Sequence, residues 1–315
     1  MSNVGDVTGP NIFYNHWHFI TVVVFSLTTL LGVPGNALVL WVTGVKMKWT
    51  MTTIWFWNLA VADIICCLSL PFVIVQYFYP YWPYGPVLCR VIPFFAPLNM
   101  FTSVFILVAI SIDRCILVVQ PIWARNHRGV RMTWMTCLAI WTLSFVMCLP
   151  KFLYTNFTTS NNLTLCNPEK HMRETTTYII MVFGFLLPFL IISACYISVA
   201  FILHNRRFED VGNKIIRVSL GIVVAFFITW APYHIMGVVL LYTENEVVLI
   251  LDMFSQSLAM FNSCINPILY VFVGKDMKDK MRQSIAKFIQ NTFSEHLSKT
   301  APGRNQQMEA INVPL

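Results

Sequence analysis

The segment ILVAISIDRCILVVQPIW, residues 106–123, decides the fold because a long apolar run in it holds an adjacent acid and base, Asp113 and Arg114. These two are the only charged residues between positions 90 and 125. An apolar run of that length belongs in a membrane or in a large protein core. The composition favours a membrane protein, because 57% of the 315 residues are hydrophobic, 11% are charged and the mean hydropathy is +0.65. Soluble domains carry about 25% charged residues.

Seven apolar runs are long enough to cross a bilayer, which takes roughly 20 residues for a helix. They cover residues 17–45, 50–79, 91–119, 132–150, 175–203, 218–243 and 247–274. The sequence therefore predicts an all-α membrane protein, a seven-transmembrane helix bundle over residues 17–274. An extracellular tail (1–16), a short amphipathic cytoplasmic helix (275–290) and a disordered cytoplasmic tail (291–315) complete the predicted organisation.

The basic residues predict the orientation of the bundle. Seventeen of the 21 lysines and arginines fall on one side of it, and the exceptions are Arg90, Lys151, Lys170 and Arg173. Cytoplasmic loops of membrane proteins carry the excess of basic residues, so we expect the N-terminus to be extracellular. The expected location of the protein is the plasma membrane. The net charge of +7 is then explained by basic loops against anionic membrane lipid, and no nucleic-acid partner is inferred.

The loop between the fourth and fifth spans lies on the predicted outer side. It contains two N-glycosylation sequons, at Asn156 and Asn162. Cys89 and Cys166 are also outside, where oxidation persists, and a disulfide between them would hold this loop across the mouth of the bundle. No arrangement typical of a catalytic triad, a carboxylate pair or a catalytic metal centre emerges, so the sequence does not predict an enzyme.

Asp63 is predicted to lie deepest in the membrane, where a charged residue costs about 2.5–3.5 kcal/mol. One carboxylate with amide and hydroxyl oxygens suits a small hard cation, which predicts an allosteric sodium site. The alternatives are a protonated, hydrogen-bonded aspartate and the ion pathway of a small ion-coupled transporter, although no inverted repeat supports the latter. Polar residues at matching depth on other spans are Asn36, Asn99, Ser103, Asn262, Ser263 and Asn266.

Three prolines interrupt predicted spans, at Pro188, Pro232 and Pro267. Each removes a backbone hydrogen bond and kinks its helix. Kinked helices beside buried polar groups suggest a bundle with two arrangements.

Eight short motifs in order along the seven spans resemble the rhodopsin-like G-protein-coupled receptors, from about residue 32 to 284. They are GNALV with Asn36, NLAVAD with Asp63, Cys89, DRC with Arg114, Trp141, Pro188 with Tyr196, TWAPY with Trp230 and Pro232, and NPILY with Asn266, Pro267 and Tyr270.

The resemblance implies an activation switch built on Arg114. It implies that Arg114 pairs with Asp113 at rest and is freed toward a heterotrimeric G protein on activation, as Tyr196 and Tyr270 swing in. Many relatives add an acid at the foot of the sixth span, where this chain has Gly212, so a weaker clamp and higher basal activity are expected. The full predicted switch comprises Asp113, Arg114, Tyr196, Trp230, Pro232, Asn266, Pro267 and Tyr270. Arrestin and receptor kinases are expected to act on Thr292, Ser294, Ser298 and Thr300 in the tail.

Two missing residues and several longer stretches of sequence indicate which branch of the rhodopsin-like receptors the chain resembles. Met260 replaces the lysine of retinal pigments and Ala96 the aspartate of amine receptors. The stretches TTIWFWNLAVAD, WAPYHIMGV and RQSIAKFIQNTFSEHL are similar to the chemoattractant receptors for complement anaphylatoxins and formyl peptides. The resemblance implies a cationic helical agonist whose C-terminal arginine enters the bundle, coupling to Gi, calcium release and leukocyte chemotaxis. A receptor for another chemotactic peptide, formyl-peptide or chemerin-like, and a decoy receptor remain alternatives.

The expected ligand site departs from that family in two respects. The loop at residues 151–173 is short and lacks the acidic, tyrosine-bearing stretch expected to dock a basic ligand, and the arginines expected for the ligand carboxylate are absent. Anaphylatoxin receptors carry two arginines for the ligand carboxylate, where this chain has Thr155 and Ile180, and Lys151 is one turn lower in the fourth span. Asp252, near the outer end of the seventh span, matches the family acid that meets the ligand arginine. Further pocket residues are expected from their places facing the bundle mouth: Tyr233, Met100, Gln256 and Tyr178.

Overall fold

The computed structural model describes residues 12–79, 81–160, 163–205, 210–243, 245–273, 279–280, 282–284 and 286. In chain order its elements are α1 (Ile12–Trp41) with a π-helical turn (Val42–Lys46), α2 (Met51–Gln76), α3 (Gly85–Val119), α4 (Pro121–His127), α5 (Val130–Leu153), β1 (Thr155–Ser160), β2 (Leu163–Pro168), α6 (Lys170–Met181) with a π-helical turn (Val182–Leu186), α7 (Leu187–Asn205), α8 (Asp210–Tyr242) and α9 (Glu246–Val273).

Within the described residues, seven helical stretches are long and apolar enough to span a membrane, which confirms the predicted bundle. Spans one to four are α1 with its π-helical turn, α2, α3 and α5. Span five runs through α6, its π-helical turn and α7, and spans six and seven are α8 and α9. Most of the predicted amphipathic helix at 275–290 and all of the tail lie outside the described residues.

The helix ends differ from the sequence prediction where polar residues continue a helix beyond the apolar run. Span five begins at Lys170 and not near residue 175, and α8 begins at Asp210, which was expected in the preceding loop. Other ends are set locally. Thr50 caps α2 by accepting from the backbone N–H of Thr53, whose hydroxyl accepts from the backbone N–H of Thr50.

The loop between spans four and five forms an antiparallel β-hairpin of β1 and β2, in which Phe157 lies opposite Cys166. The predicted disulfide between Cys89 and Cys166 is present and joins β2 to the start of α3. A backbone hydrogen bond of 2.7 Å from Trp82 to Thr164 adds a second attachment. The hairpin is therefore fixed at one end of the bundle.

Two side-chain hydrogen bonds tie span one to span seven and span four to span two. The Asn36 amide donates to the backbone oxygen of Ser263 at 2.9 Å. The Trp141 indole donates to the Asn58 side-chain oxygen at 3.0 Å. Side chains from several spans form one continuous apolar core, which includes Trp230 and Phe101.

Small residues let span one approach its neighbours closely. A Cβ atom added to Gly32 would lie 2.5 Å from Sγ of Cys67 on α2 and 3.4 Å from Sγ of Cys264 on α9. A Cβ on Gly35 would lie 3.2 Å from the Pro267 ring. Glycine at these positions therefore sets the distance between the helices.

We expect Gly32→Ala to destabilise the protein by about 1–3 kcal/mol, because the new methyl group overlaps Sγ of Cys67. Thermal unfolding in detergent measures the change. Gly221→Ala is the matched control, because nothing lies within 4 Å of a Cβ there. Gly32→Ala/Cys67→Ala should recover much of the loss, and equal melting temperatures for Gly32→Ala and the wild type would contradict the close packing.

Candidate functional site

A cavity of about 560 Å³ lies among spans four to seven, at the end of the bundle that carries the hairpin. Its wall includes four residues with ionisable side chains from three helices and the end of the hairpin: Lys151, Glu169, Arg173 and Asp252. Tyr233 and Gln256 also line it. The four predicted pocket residues Asp252, Tyr233, Gln256 and Lys151 are thus brought together.

Asp252 presents its carboxylate to this cavity from α9. The Gln256 amide, one turn further along, donates to Oδ2 of Asp252 at 2.6 Å and fixes that oxygen. Lys151 and Arg173 are the basic residues whose charges act on Asp252. Within the described residues the carboxylate forms no ion pair, so it keeps capacity for a cationic ligand group.

Lys151 extends into the cavity from the last turn of α5. Its ammonium group makes neither a hydrogen bond nor an ion pair with any residue that the structure describes. Burying an unneutralised charge is costly, so this site favours an anion.

Arg173 is a cavity residue that the sequence analysis missed. It was treated as a loop cation because the fifth span was expected to begin two residues later, whereas it lies in the first turn of α6. Its guanidinium Nη2 donates to the backbone oxygen of Leu240 on span six at 3.1 Å. Arg173 therefore links the cavity to the outer end of span six.

The prediction that Met100 and Tyr178 line the pocket is wrong for this cavity, as the structure describes it. Met100 is 0% exposed beneath it, next to Gly184, because α3 turns that side chain into the core. Tyr178 is 41% exposed on the outer surface, and its hydroxyl is 2.6 Å from that of Tyr242. Both errors concern the rotation of a helix about its axis, which the sequence pattern left undetermined.

The positions equivalent to the family arginines diverge. Ile180 lines the cavity as an apolar side chain. Thr155 is buried at the start of β1, where its hydroxyl donates to the Lys151 backbone oxygen at 2.6 Å. Among the sequon residues, Asn156 is exposed on β1, and Asn162 lies outside the described residues.

A second polar centre surrounds Asp63, which is fully buried between spans. The Asn99 and Asn266 amides donate to its two carboxylate oxygens at 3.0 and 2.8 Å. The hydroxyl oxygens of Ser103 and Ser263 are buried and have no hydrogen-bond partner among the described residues. Carboxylate and hydroxyl oxygens are the ligands that a hard cation such as sodium takes.

Asn262, the remaining predicted member of the sodium site, contacts span six. Its side-chain oxygen accepts from the Thr229 hydroxyl at 3.2 Å and so bridges spans six and seven. Its participation in the Asp63 centre stays a prediction.

The expected ion pair between Asp113 and Arg114 is present, and Arg128 shares the same carboxylate. Arg128, in the turn after α4, binds both carboxylate oxygens of Asp113 at 2.6 Å through Nε and Nη2. Nη1 of Arg114 lies 3.4 Å from the same carboxylate, and its Nη2 donates to the Thr52 hydroxyl at 2.9 Å. Two guanidinium groups therefore share one acid, and the parallel Arg128 bonds are the shorter.

The other predicted switch residues lie along spans five to seven. Trp230 is buried, with its ring centroid 5.8 Å from Phe226 and 5.5 Å from Tyr233. The Tyr196 hydroxyl is buried without a hydrogen-bond partner among the described residues. Pro232 and Pro267 are inside α8 and α9, and the Tyr270 side chain lies outside the described part.

Residues 35–270 match the 7 transmembrane receptor (rhodopsin family) profile. Given this match and the seven spans, the chain belongs to the rhodopsin family of seven-transmembrane receptors, which are not enzymes.

Within that family the chain is similar to anaphylatoxin receptors. It is 38% identical over 313 residues to the C3a anaphylatoxin chemotactic receptor of Oncorhynchus mykiss, covering 93% of this chain and 85% of the relative. It is 36% identical over 289 residues to the C5a anaphylatoxin chemotactic receptor 1 of Oryctolagus cuniculus, covering 88% and 82%. The human C3a receptor is 30% identical over 441 aligned positions, covering 89% and 92%. That last alignment passes over a long segment without counterpart here, since this chain has 315 residues.

We expect Arg128→Ala to loosen the α4 turn, because it removes two short charge-assisted bonds to a half-buried carboxylate. Amide hydrogen exchange should become faster by about tenfold across residues 121–128, with little change in the outer hairpin. Arg125→Ala, at an exposed position of α4, is the control. Unchanged protection in Arg128→Ala would contradict a stabilising role for the pair.

Proposed function

We propose that this protein is a plasma-membrane receptor, with its N-terminus outside, that binds a complement anaphylatoxin and activates a heterotrimeric Gi protein, leading to calcium release and leukocyte chemotaxis. The observation that carries the proposal is one cavity holding an acid without an ion pair, Asp252, and a cation without one, Lys151. A C-terminal arginine carries the complementary pair of charges. Similarity to the trout C3a receptor and the rabbit C5a receptor 1 supports the same class of ligand.

Each charge of such an arginine would have its own partner. The Asp252 carboxylate, steadied by Gln256, would accept the ligand guanidinium in a charge-assisted bond. Lys151 and Arg173 would receive the terminal carboxylate, in place of arginines at Thr155 and Ile180. The matching of opposite charges across the cavity gives selectivity for a free arginine terminus.

Ligand binding would reach the G protein through span six. A ligand carboxylate on Arg173 competes with the neutral backbone oxygen of Leu240, because hydrogen bonds to charged acceptors are stronger. Releasing Leu240 frees the outer end of α8, which Pro232 allows to pivot. At the other end of the bundle, Arg114 is held by Asp113 and Thr52 and would be released toward the G protein.

The proposal predicts that Asp252→Asn lowers affinity for a short synthetic peptide with the C-terminal sequence of C3a by about 10- to 100-fold, because a charged hydrogen bond is lost. The same peptide ending in citrulline, an uncharged analogue of arginine, should bind the wild type weakly and lose little further affinity in Asp252→Asn. Radioligand competition in membranes measures both affinities.

Glu246→Gln is the matched control, because Glu246 is an exposed acid at the start of α9 and is not among the cavity residues that the structure describes. Gi nucleotide exchange is followed in the same membranes. Arg114→Ala should abolish exchange while leaving binding largely intact. Normal surface expression without peptide binding would reject the anaphylatoxin and favour another chemotactic peptide, whereas binding without exchange in the wild type would indicate a decoy receptor.

We also propose that Asp63 holds an allosteric sodium ion. The ligand-free receptor should then melt a few degrees higher in sodium chloride than in choline chloride of equal concentration, and Asp63→Asn should remove the difference. Ser103→Ala and Ser263→Ala should reduce this difference in melting temperature, because each removes a buried hydroxyl oxygen that would be available to bind the ion. Asn262→Ala should reduce it as well if the predicted site includes that residue, whose side-chain oxygen accepts from Thr229. Equal melting temperatures of the wild type in both salts would contradict the site.

A further inference from the structure

The structure describes all nine cysteines, and two of the seven that are free differ from the others in their exposure. Cys115 on α3 and Cys195 on α7 are half-buried. The remaining five free thiols are buried in the bundle: Cys66, Cys67, Cys137, Cys148 and Cys264. Oxidation of a thiol requires access to the oxidant, so Cys115 and Cys195 are the free thiols that a small oxidant can reach.

These two accessible thiols are neighbours. Their side chains lie close enough to interact with each other where α3 packs against α7. Ile112 and Val119, one turn before and one turn after Cys115, are apolar side chains that are 40% and 41% exposed. In a membrane-spanning helix such a surface faces lipid, so the thiol pair is open to small oxidants that enter the bilayer.

Each thiol is next in sequence to a residue of the predicted activation switch. Cys115 follows Arg114, which is 6% exposed, and Cys195 precedes Tyr196, which packs against the apolar core. The Cα atoms of a disulfide are usually about 4.4–6.8 Å apart. A covalent bond between these two thiols would therefore fix the backbone of span five against that of span three at the level of the switch.

We propose that Cys115 and Cys195 form an oxidative modification site, at which a peroxide converts the two thiols into a disulfide that ties span three to span five. The oxidant is hydrogen peroxide or a lipid hydroperoxide. A second thiol in contact with the first resolves the initial oxidation product before it is oxidised further. Disulfides on the cytoplasmic side of a membrane are usually transient and redox-sensing, because glutathione and thioredoxin reduce them.

The reaction has two steps. The sulfur of one thiol attacks a peroxide oxygen, the O–O bond breaks, and a sulfenic acid forms while the thiol proton leaves with the departing oxygen as water. A lipid hydroperoxide releases an alcohol at this step. The sulfur of the second thiol then attacks the sulfenic sulfur, the S–O bond breaks, and a second water leaves as the S–S bond forms. In total the two thiols lose two hydrogens and two electrons, and one peroxide is reduced.

The consequence for signalling rests on the proposed function, whereas formation of the disulfide rests on the placement of the thiols. Under the proposed function, activation moves Tyr196 toward the released Arg114, which requires span five to shift against span three. A disulfide between the residues adjacent to both opposes that shift. The oxidised receptor should therefore bind its peptide and fail to activate Gi.

The first test is chemical and needs no ligand. Full-length protein in lipid nanodiscs is treated with hydrogen peroxide, the remaining thiols are blocked with N-ethylmaleimide, and its peptides are analysed by mass spectrometry. The expected product is a linked pair of peptides that contain Cys115 and Cys195, two hydrogen atoms lighter than the free thiols. Cys115→Ala and Cys195→Ala should each lose this product, and Cys137→Ala, at a buried thiol of α5, should keep it. Oxidation of either thiol by itself, without linked peptides in the wild type, would overturn the proposal.

The second test measures the restraint on span five. Amide hydrogen exchange of residues 195–205 should slow by about tenfold in the oxidised wild type and stay unchanged in oxidised Cys115→Ala. In the same nanodiscs, a short synthetic peptide with the C-terminal sequence of C3a should drive Gi nucleotide exchange about fivefold more slowly after oxidation, with little change in peptide affinity. Reduced glutathione should restore nucleotide exchange and spare the Cys89–Cys166 disulfide, because structural disulfides resist it.

The outcomes separate the two proposals. If the linked peptides form while the amide exchange and Gi activation of the wild type stay unchanged, the disulfide does not restrain span five and the inference is wrong. If oxidation lowers Gi activation equally in Cys115→Ala, it acts elsewhere, and the proposed function stands without this site. If the unoxidised wild type does not respond to the peptide, the proposed function is wrong. The linked peptides and the slower amide exchange then decide alone whether the thiol pair ties the two spans.

Discussion

The cost of placing a charge in a low-dielectric interior organises this receptor, because each buried ionisable group must either have a partner in the protein or be reserved for a ligand. Asp63 is satisfied by the Asn99 and Asn266 amides, which join three spans at one carboxylate. Asp113 is satisfied by Arg128 and, at longer distance, by Arg114. Both acids therefore stabilise helix contacts at fixed positions.

The outer cavity shows the opposite distribution. Lys151 and Asp252 share a wall without an ion pair to any residue that the structure describes, and the His234 nitrogens there have no hydrogen-bond partner. Polar groups left unsatisfied in this way reduce the stability of the resting protein, a cost that proteins accept at binding sites. The contrast between satisfied acids in the core and unsatisfied groups in the cavity is the basis for proposing that the cavity binds the ligand.

The sequence predicted those features that depend on length, composition or chain order. Apolar runs of membrane length identified seven spans, and two cysteines on the outer side identified the disulfide that fixes the hairpin. Features that depend on helix rotation were less accessible. Met100 and Tyr178 lie on apolar helices whose periodicity does not distinguish a cavity-facing side from a packed or exposed one. The contact of Asn262 with Thr229 on span six was likewise not predicted, because Asn262 was assigned by depth alone.

Contacts between distant chain segments were also inaccessible. Nothing in the sequence distinguishes Arg128 from other basic residues of cytoplasmic loops, because its role depends on the path of α4, which returns it to Asp113. The hairpin was not predicted either. It depends on which residues of β1 and β2 pair, and the short polar loop that contains them shows no alternation of apolar and polar residues that would indicate strands. Arg173 was missed for a related reason, since polar residues extend span five beyond its apolar part.

Because both Arg114 and Arg128 bind Asp113, the stability of the Asp113–Arg114 pair depends on Arg128 as well. In an exclusive pair, the freedom of Arg114 would depend on the strength of one salt bridge. Here the shorter, bidentate bonds belong to Arg128, while Arg114 also donates to the Thr52 hydroxyl of span two. Because the parallel bonds from Arg128 orient the carboxylate, a movement of the α4 turn that draws Asp113 away from Arg114 weakens its hold on Arg114. Under the proposed function, the loop that follows span three would therefore take part in setting the balance between rest and activation.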